Sequence, residues 1–174
     1  DRISLVQPAV DEIFQPVADA EARRQVRAKY TLPDHYVLYI GLLQPRKNLV
    51  RLAQAIARLR DQGLPHHLVI VGRKAWLYDE MLTEIARLNL EDRLHFTGYV
   101  ERQDLPALLS AAGAFGYLSH YEGFGIPVLE ALACGAPVLA STDPALVEVT
   151  GGAALHAAPG DLAEITEKLA SLLG

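Results

Sequence analysis

Apolar residues along this chain fall into two kinds of segment that alternate. Short, nearly continuous apolar runs occur at 36–40 (YVLYI), 68–71 (LVIV), 94–97 (LHFT), 114–118 (AFGYL) and 137–140 (PVLA). None shows the polar alternation of a sheet with one wet face, so each reads as a parallel strand covered on both sides. Between them lie stretches with helical spacing. Over 48–60, Leu49, Leu52, Ala53, Ile56 and Leu59 share one face, with Asn48 placed to cap the first turn. Segments 77–88, 104–112, 126–133 and 162–173 read the same way. Strand–helix–strand alternation repeated this often predicts an α/β fold built on a doubly wound parallel sheet. The start differs. Residues 3–14 hold one short apolar run and then QPAVDEIFQP, which predicts a strand leading into an irregular, proline-bearing loop.

Composition narrows the class. At 174 residues, 51% of them hydrophobic, the chain suits one domain with a sizeable core, and a disordered chain is excluded. No apolar run approaches the ~20 residues needed to cross a bilayer. The first residues, DRISLVQPAVDEIF, lack the basic start and apolar block of a signal peptide. A net charge of −5 without a long Lys/Arg block argues against general nucleic-acid binding. A single cysteine, Cys134, forbids an internal disulfide. The expected setting is reducing and cytoplasmic.

A sheet of this kind binds ligands at the carboxyl ends of its strands, so the segments after the strands are the candidates. After the first core strand come Gly41 and then Arg46, Lys47 and Asn48 at a helix start; after the second come Gly72, Arg73 and Lys74. Glycine permits close backbone approach, and cations beside a helix N-terminus suit a phosphate or diphosphate. Either loop alone could be a solvated basic turn; two at one sheet edge would converge positive charge on one cleft. Neither is a Rossmann GxGxxG or a Walker loop. After the fourth strand, the segment 119–131 (SHYEGFGIPVLEA) carries Glu122, Gly123, Phe124, Gly125, Pro127 and Glu130. Pro127 fits the first turn of a helix, which sets Glu130 near the helix start and Glu122 in the loop before it. Both carboxylates can then face one cleft. By itself Glu130 could equally be an acid complementing the helix dipole, and Glu122 a solvated loop acid.

The pattern E-G-F-G-x-P-x-x-E-A over 122–131 resembles the donor-site signature of group 1 retaining glycosyltransferases of the GT-B fold. The likeness covers nearly the whole chain. GLLQPRKN (41–48) resembles the family's phosphate loop, LVIVG (68–72) its second strand and turn, and RLHFTGYV (93–100) the strand and loop near the base. ACGAPVLA (133–140) and LVEV (146–149) resemble the segments that follow, and SLVQPAVDEIF (4–14) the hinge strand that opens the domain. The resemblance implies a Rossmann-like donor domain, one half of a two-domain enzyme whose N-terminal acceptor domain is absent. Its ligand would be a nucleoside-diphosphate sugar, a GDP- or UDP-linked hexose, with no cofactor and no metal. Lys47 would contact the diphosphate with Arg46 beside it, and Gly41, Gly72 and Lys74 would complete that cradle. Glu130 would hold the ribose hydroxyls, and Glu122, the residue at the reacting sugar, would contact the hexose. The backbone of Gly123, Phe124 and Gly125 would approach sugar and phosphate, and Tyr99 and Val100 would lie against the base. Where many relatives have Arg after the loop glycine, this chain has Leu42, and Arg46 is expected to supply that charge.

The implied reaction is retaining transfer of a hexosyl group, and GLLQPRKN is similar to relatives that often use GDP-mannose. Alone, this chain is expected to transfer nothing; the full-length protein is allowed a peripheral place at the inner face of the membrane. The alternatives are another GT-B activity, such as a sugar phosphorylase or nucleotide-sugar epimerase, and a non-catalytic nucleotide-sugar sensor. His66 and His67, adjacent in a strand, would point to opposite faces and lack spaced partner ligands. Cys134, near a helix end, reads as a small buried residue, and Trp76 and Tyr78 as packing against the sheet.

Overall fold

The computed structural model describes residues 8–73 and 78–174. Its centre is a six-stranded sheet, all pairs parallel: β1 (Tyr36–Ile40), β2 (His67–Val71), β3 (Leu94–Gly98), β4 (Ala114–Tyr117), β5 (Val138–Ser141) and β6 (Leu155–Ala157), in spatial order 3-2-1-4-5-6. That is the order of a doubly wound Rossmann-like sheet, and the fold read from the alternation is the one found. The five apolar runs coincide with β1 to β5 to within a residue or two. The central strands β1, β4 and β5 are buried almost throughout, as continuous apolar runs demand, whereas β3 at one edge is only half-buried.

Seven α-helices cover the sheet among the described residues: α1 (Ala20–Lys29), α2 (Leu49–Asp61), α3 (Tyr78–Ala86), α4 (Leu105–Ala111), α5 (Ile126–Ala133), α6 (Pro144–Thr150) and α7 (Leu162–Leu173). Helix α2 packs with α3 and α7, while α4 packs with α1 and α5, and α5 with α6, which gives the two helical layers. One apolar core runs through all of it, from Leu52, Ile56 and Leu59 of α2 to Val128 and Ala131 of α5 and Ile165 and Leu169 of α7. No helix among the described residues is long and apolar enough to cross a membrane.

Three elements escaped the sequence pattern. Helix α1 buries only Val26, so it shows almost no apolar stripe. Helix α6 has 7 residues beginning with Pro144, about two turns, too few for a period to emerge. Strand β6 has 3 residues, Leu-His-Ala, at the other sheet edge. A fourth difference concerns Asn48. It precedes α2 as predicted, but in the left-handed region at φ 58°, and its side chain does not cap the helix. Of the opening segment, the predicted strand at residues 3–7 lies outside the described residues, as do Lys74 and Trp76; from Pro8 to Phe14 the chain is irregular, as expected.

Candidate functional site

In the order 3-2-1-4-5-6 the chain reverses direction of winding between β1 and β4, so the crevice above the carboxyl ends of those two strands is where such a sheet binds ligands. The loop after β1 carries Arg46 and Lys47 in a short 3-10 turn, and the loop after β4 carries Glu122. They meet in the crevice. Lys47 Nζ donates to Glu122 Oε1 at 2.5 Å and to Tyr117 Oη at 2.8 Å. Arg46 Nη1 donates to Glu122 Oε2 at 3.3 Å and to the Tyr121 carbonyl at 2.8 Å. Lys47 and Glu122 are both buried, with 6% and 8% of their surface exposed. Burial works against the Glu122 carboxylate, but the Lys47 hydrogen bond, with neighbouring Ser119 and the charges of Lys47 and Arg46 adding to it, holds its pKa below the ordinary glutamate value. Glu122 is thus no solvated loop acid.

Backbone ties lock the two loops together. His120 N donates to the Arg46 carbonyl at 2.8 Å. Asn48 Nδ2, freed from capping, donates to the carbonyls of Leu118 at 3.1 Å and Pro159 at 2.8 Å, joining the loops after β1, β4 and β6. Sequence reasoning missed this role of Asn48, because its partners lie 70 and 111 residues away. The polar Asn directly after two cations was the only available signal.

Beside the crevice, over the ends of β1, β2 and β3, lies a mostly apolar cleft of about 280 Å³ lined by Gly41, Leu42, Gly72, Tyr99, Val100 and Leu105 among others. The strand pairing continues into its floor: Gly41 N donates to the Val71 carbonyl at 2.9 Å and Gly72 N to the Gly98 carbonyl at 3.1 Å. Gly72 has to be glycine, because a Cβ there would stand 1.8 Å from the Gly41 carbonyl oxygen. Val100 is buried beneath the cleft and Tyr99 stands 69% exposed at its rim. Gly41, Gly72, Tyr99 and Val100, four of the predicted site residues, therefore meet in one place. Gly98 and Leu105 were not singled out from sequence; a glycine closing a third strand was the overlooked sign.

Helix α5 carries the remaining pair of features. Gly125 precedes it at φ 101°, a left-handed position that favours glycine, and a Cβ there would press on Leu146 Cδ2 at 2.5 Å. Above Gly123 there is open space. Phe124 is half-buried between the two. Pro127 lies in the first turn as predicted, but Glu130 falls in the second turn, beyond the first-turn reach of the helix dipole. Among the described residues, no group donates a hydrogen bond to the Glu130 carboxylate, and none forms an ion pair with it. Half-buried, it is pushed above the ordinary glutamate value by burial, with Arg102 opposing and Asp11 adding to the shift.

Lys74 lies outside the described residues; its neighbour Arg73 is exposed. Cys134 is buried at the end of α5, and burial pushes its thiol up to about 11, which leaves it inert near neutrality. His66 and His67 do part company: His66 lies edge-on to His35, and His67 Nδ1 is 3.0 Å from His95 Nε2. Both pairs involve strands β1 to β3 at their amino ends, away from the crevice.

The family model for glycosyl transferases group 1 matches residues 22–174. The O-antigen chain mannosyltransferase B of Escherichia coli is 39% identical over 168 residues, which covers 95% of this chain and 44% of that protein. Anabaena HepE, solved in complex with UDP-glucose, shares the fold with a TM-score of 0.77 at 25% identity, over 91% of this chain and 44% of that one. The C-terminal domain of a glycosyl transferase group 1 family protein (LpcC) from Francisella tularensis has a TM-score of 0.78 over 95% of this chain and 88% of that one; at 22% identity this likeness speaks for the fold alone. The chain spans less than half the length of the curated relatives it matches.

Proposed function

The chain belongs to the group 1 glycosyl transferases, and from that premise we propose that it is the C-terminal donor domain of a two-domain retaining hexosyltransferase, binding a nucleoside-diphosphate sugar in the crevice between β1 and β4. The observation that carries this is the convergence of Lys47 and Arg46 on Glu122 above the switch point, with an apolar cleft next to it that fits a flat base. In this reading the base lies in the cleft against Tyr99 and Val100. The diphosphate crosses the Gly41–Gly72 floor to Lys47 and Arg46. An ammonium has three donors and Lys47 commits two to the protein, so one remains for a phosphate oxygen. As the bond from sugar to phosphate breaks, negative charge gathers on the leaving diphosphate, and preorganised cations there lower the barrier. Glu122 accepts hydrogen bonds from hexose hydroxyls, the open space at Gly123 admits the sugar, and the half-buried Glu130 accepts from the ribose hydroxyls. The mannosyltransferase relative supports mannose as the transferred sugar; the similarity of GLLQPRKN to relatives that often use GDP-mannose favours GDP as the carrier, and the HepE likeness favours UDP.

Calorimetric titration of this chain with GDP, UDP, their nucleosides, GDP-mannose and UDP-glucose tests the reading. One nucleoside diphosphate should bind measurably tighter than its nucleoside, and Lys47→Ala should shrink that advantage while leaving nucleoside affinity alone. Equal affinity for nucleoside and diphosphate in the unsubstituted chain would refute the donor site. Transfer requires donor and acceptor held at reacting distance, so this chain alone should transfer no hexose from labelled donor; robust transfer by it would refute the two-domain reading.

A further inference from the structure

Beneath the two loops stands a row of buried aromatic rings. Phe115 and Tyr117 of β4 stack at 5.8 Å between centroids, and Tyr117 stacks on Tyr39 of β1 at 5.9 Å, so the row crosses the switch point. Tyr39 Oη donates to the Leu42 carbonyl at 3.1 Å, and Gly41 leaves room for it, since a Cβ there would come within 2.7 Å of that hydroxyl. Tyr117 Oη sits under the other end of the same loop. It accepts from Lys47 Nζ at 2.8 Å, and the ammonium lies 4.9 Å from the centre of the Tyr117 ring. A long, flexible lysine is thereby fixed at two points, the phenol below and Glu122 to the side, and its remaining donor has one direction left.

We propose that Tyr117 is a positioning residue for diphosphate recognition: its hydroxyl holds the Lys47 ammonium aimed at the phosphates and does not itself touch the donor. The inference rests on the donor-site reading above. The alternative role for a buried tyrosine is packing alone, and Tyr36 supplies the comparison, because it is just as buried but gives its hydroxyl to the Leu108 carbonyl of α4, away from the loop.

The test is a calorimetric double-mutant cycle on this chain, with UDP, GDP and their nucleosides as ligands, using Tyr117→Phe, Lys47→Ala and the pair, with Tyr36→Phe as control. Tyr117→Phe keeps the ring stack and should weaken the preferred nucleoside diphosphate by about five- to tenfold, the net worth of one ordinary hydrogen bond, since the effect reaches the ligand only through Lys47. Nucleoside affinity should stay unchanged, and the substitution should have no further effect once Lys47 is alanine. Burial already draws Lys47 below the ordinary lysine value, against the pull of Glu122, with Arg46 the other charge facing it. Without the phenol the ammonium should lose its proton at a lower pH, so the alkaline fall in diphosphate affinity should come earlier in Tyr117→Phe and stay in place in Tyr36→Phe. Diphosphate affinity unchanged in Tyr117→Phe, an equal loss for nucleoside and diphosphate, or the same loss in the Lys47→Ala background would each overturn the proposal. If the unsubstituted chain shows no preference for diphosphate, the donor reading itself fails and this inference with it.

Discussion

The two glutamates of one short motif inhabit opposite electrostatic regions. Glu122, in the loop after β4, is buried against Lys47 and approached by Arg46, and its pKa sits below the ordinary value. Glu130, in the second turn of α5, is half-buried with no hydrogen-bond donor among the described residues, and its pKa sits above the ordinary value. The first region is satisfied within the chain and so contributes to the fold. The second carries a desolvated charge without compensation, which costs stability and leaves an acceptor ready for hydroxyls from outside. Residues proposed to recognise one ligand can therefore stand on either side of the stability balance.

The strongest way to break this contrast is to remove one side of the satisfied pair. Glu122→Ala leaves the Lys47 ammonium buried without its carboxylate, and urea unfolding should show a loss of about 3–5 kcal/mol. Replacing both, as Lys47→Met with Glu122→Leu, should recover most of that stability, since a buried pair is worth little against apolar side chains of similar size. Equal instability in the single and double variants would show that the two charges are not coupled.

The next effect lies at the other glutamate and concerns binding. Glu130→Gln should cost about 1.5–3 kcal/mol in affinity for the preferred nucleoside diphosphate, read by calorimetry, as for a lost charge-assisted hydrogen bond. Unchanged affinity in the folded variant would remove Glu130 from the site.

A smaller effect sharpens the contrast through pH. A lowered carboxyl pKa means stability that is present above the unfolded value and is lost as pH falls through the folded one, so Glu122 should stop supporting the fold only at distinctly acid pH. A raised carboxyl pKa has the opposite sign. Above its folded value Glu130 is charged and destabilising, and the penalty is relieved as pH falls through that value. Thermal melts should thus show Glu130→Gln slightly more stable than the unsubstituted chain at neutral pH, with the difference shrinking in mild acid. A variant less stable at neutral pH would mean that the carboxylate has a partner in the folded chain.

Much of this is legible in the amino-acid sequence. The runs YVLYI and LVIV can be satisfied only between two covering layers, and helical spacing such as that of Leu49, Leu52, Ile56 and Leu59 supplies those layers, so the local pattern and the global fold agree. The spacing of Glu122, Gly123, Gly125 and Glu130 likewise marked one loop and one helix start. What stayed hidden was short or long-range. Helix α6 and strand β6 are too brief for a period, and α1 buries a single residue.

The sequence by itself determined the order of the five longer strands and of five helices, the doubly wound class and the loops where charged groups and glycines gather, because each follows from side-chain periodicity or backbone freedom within a few residues. Only the tertiary structure decided which of those groups meet. Lys47 and Glu122 are 75 residues apart, and Lys47 and Tyr117 are 70 apart, so their contact depends on β1 and β4 lying side by side at the reversal of the sheet. The opposite shifts of Glu122 and Glu130 were decided there too, since a carboxylate's proton affinity is set by what burial removes and which charges return it, and those charges, Lys47 and Arg46 for one and Arg102 and Asp11 for the other, come from distant chain.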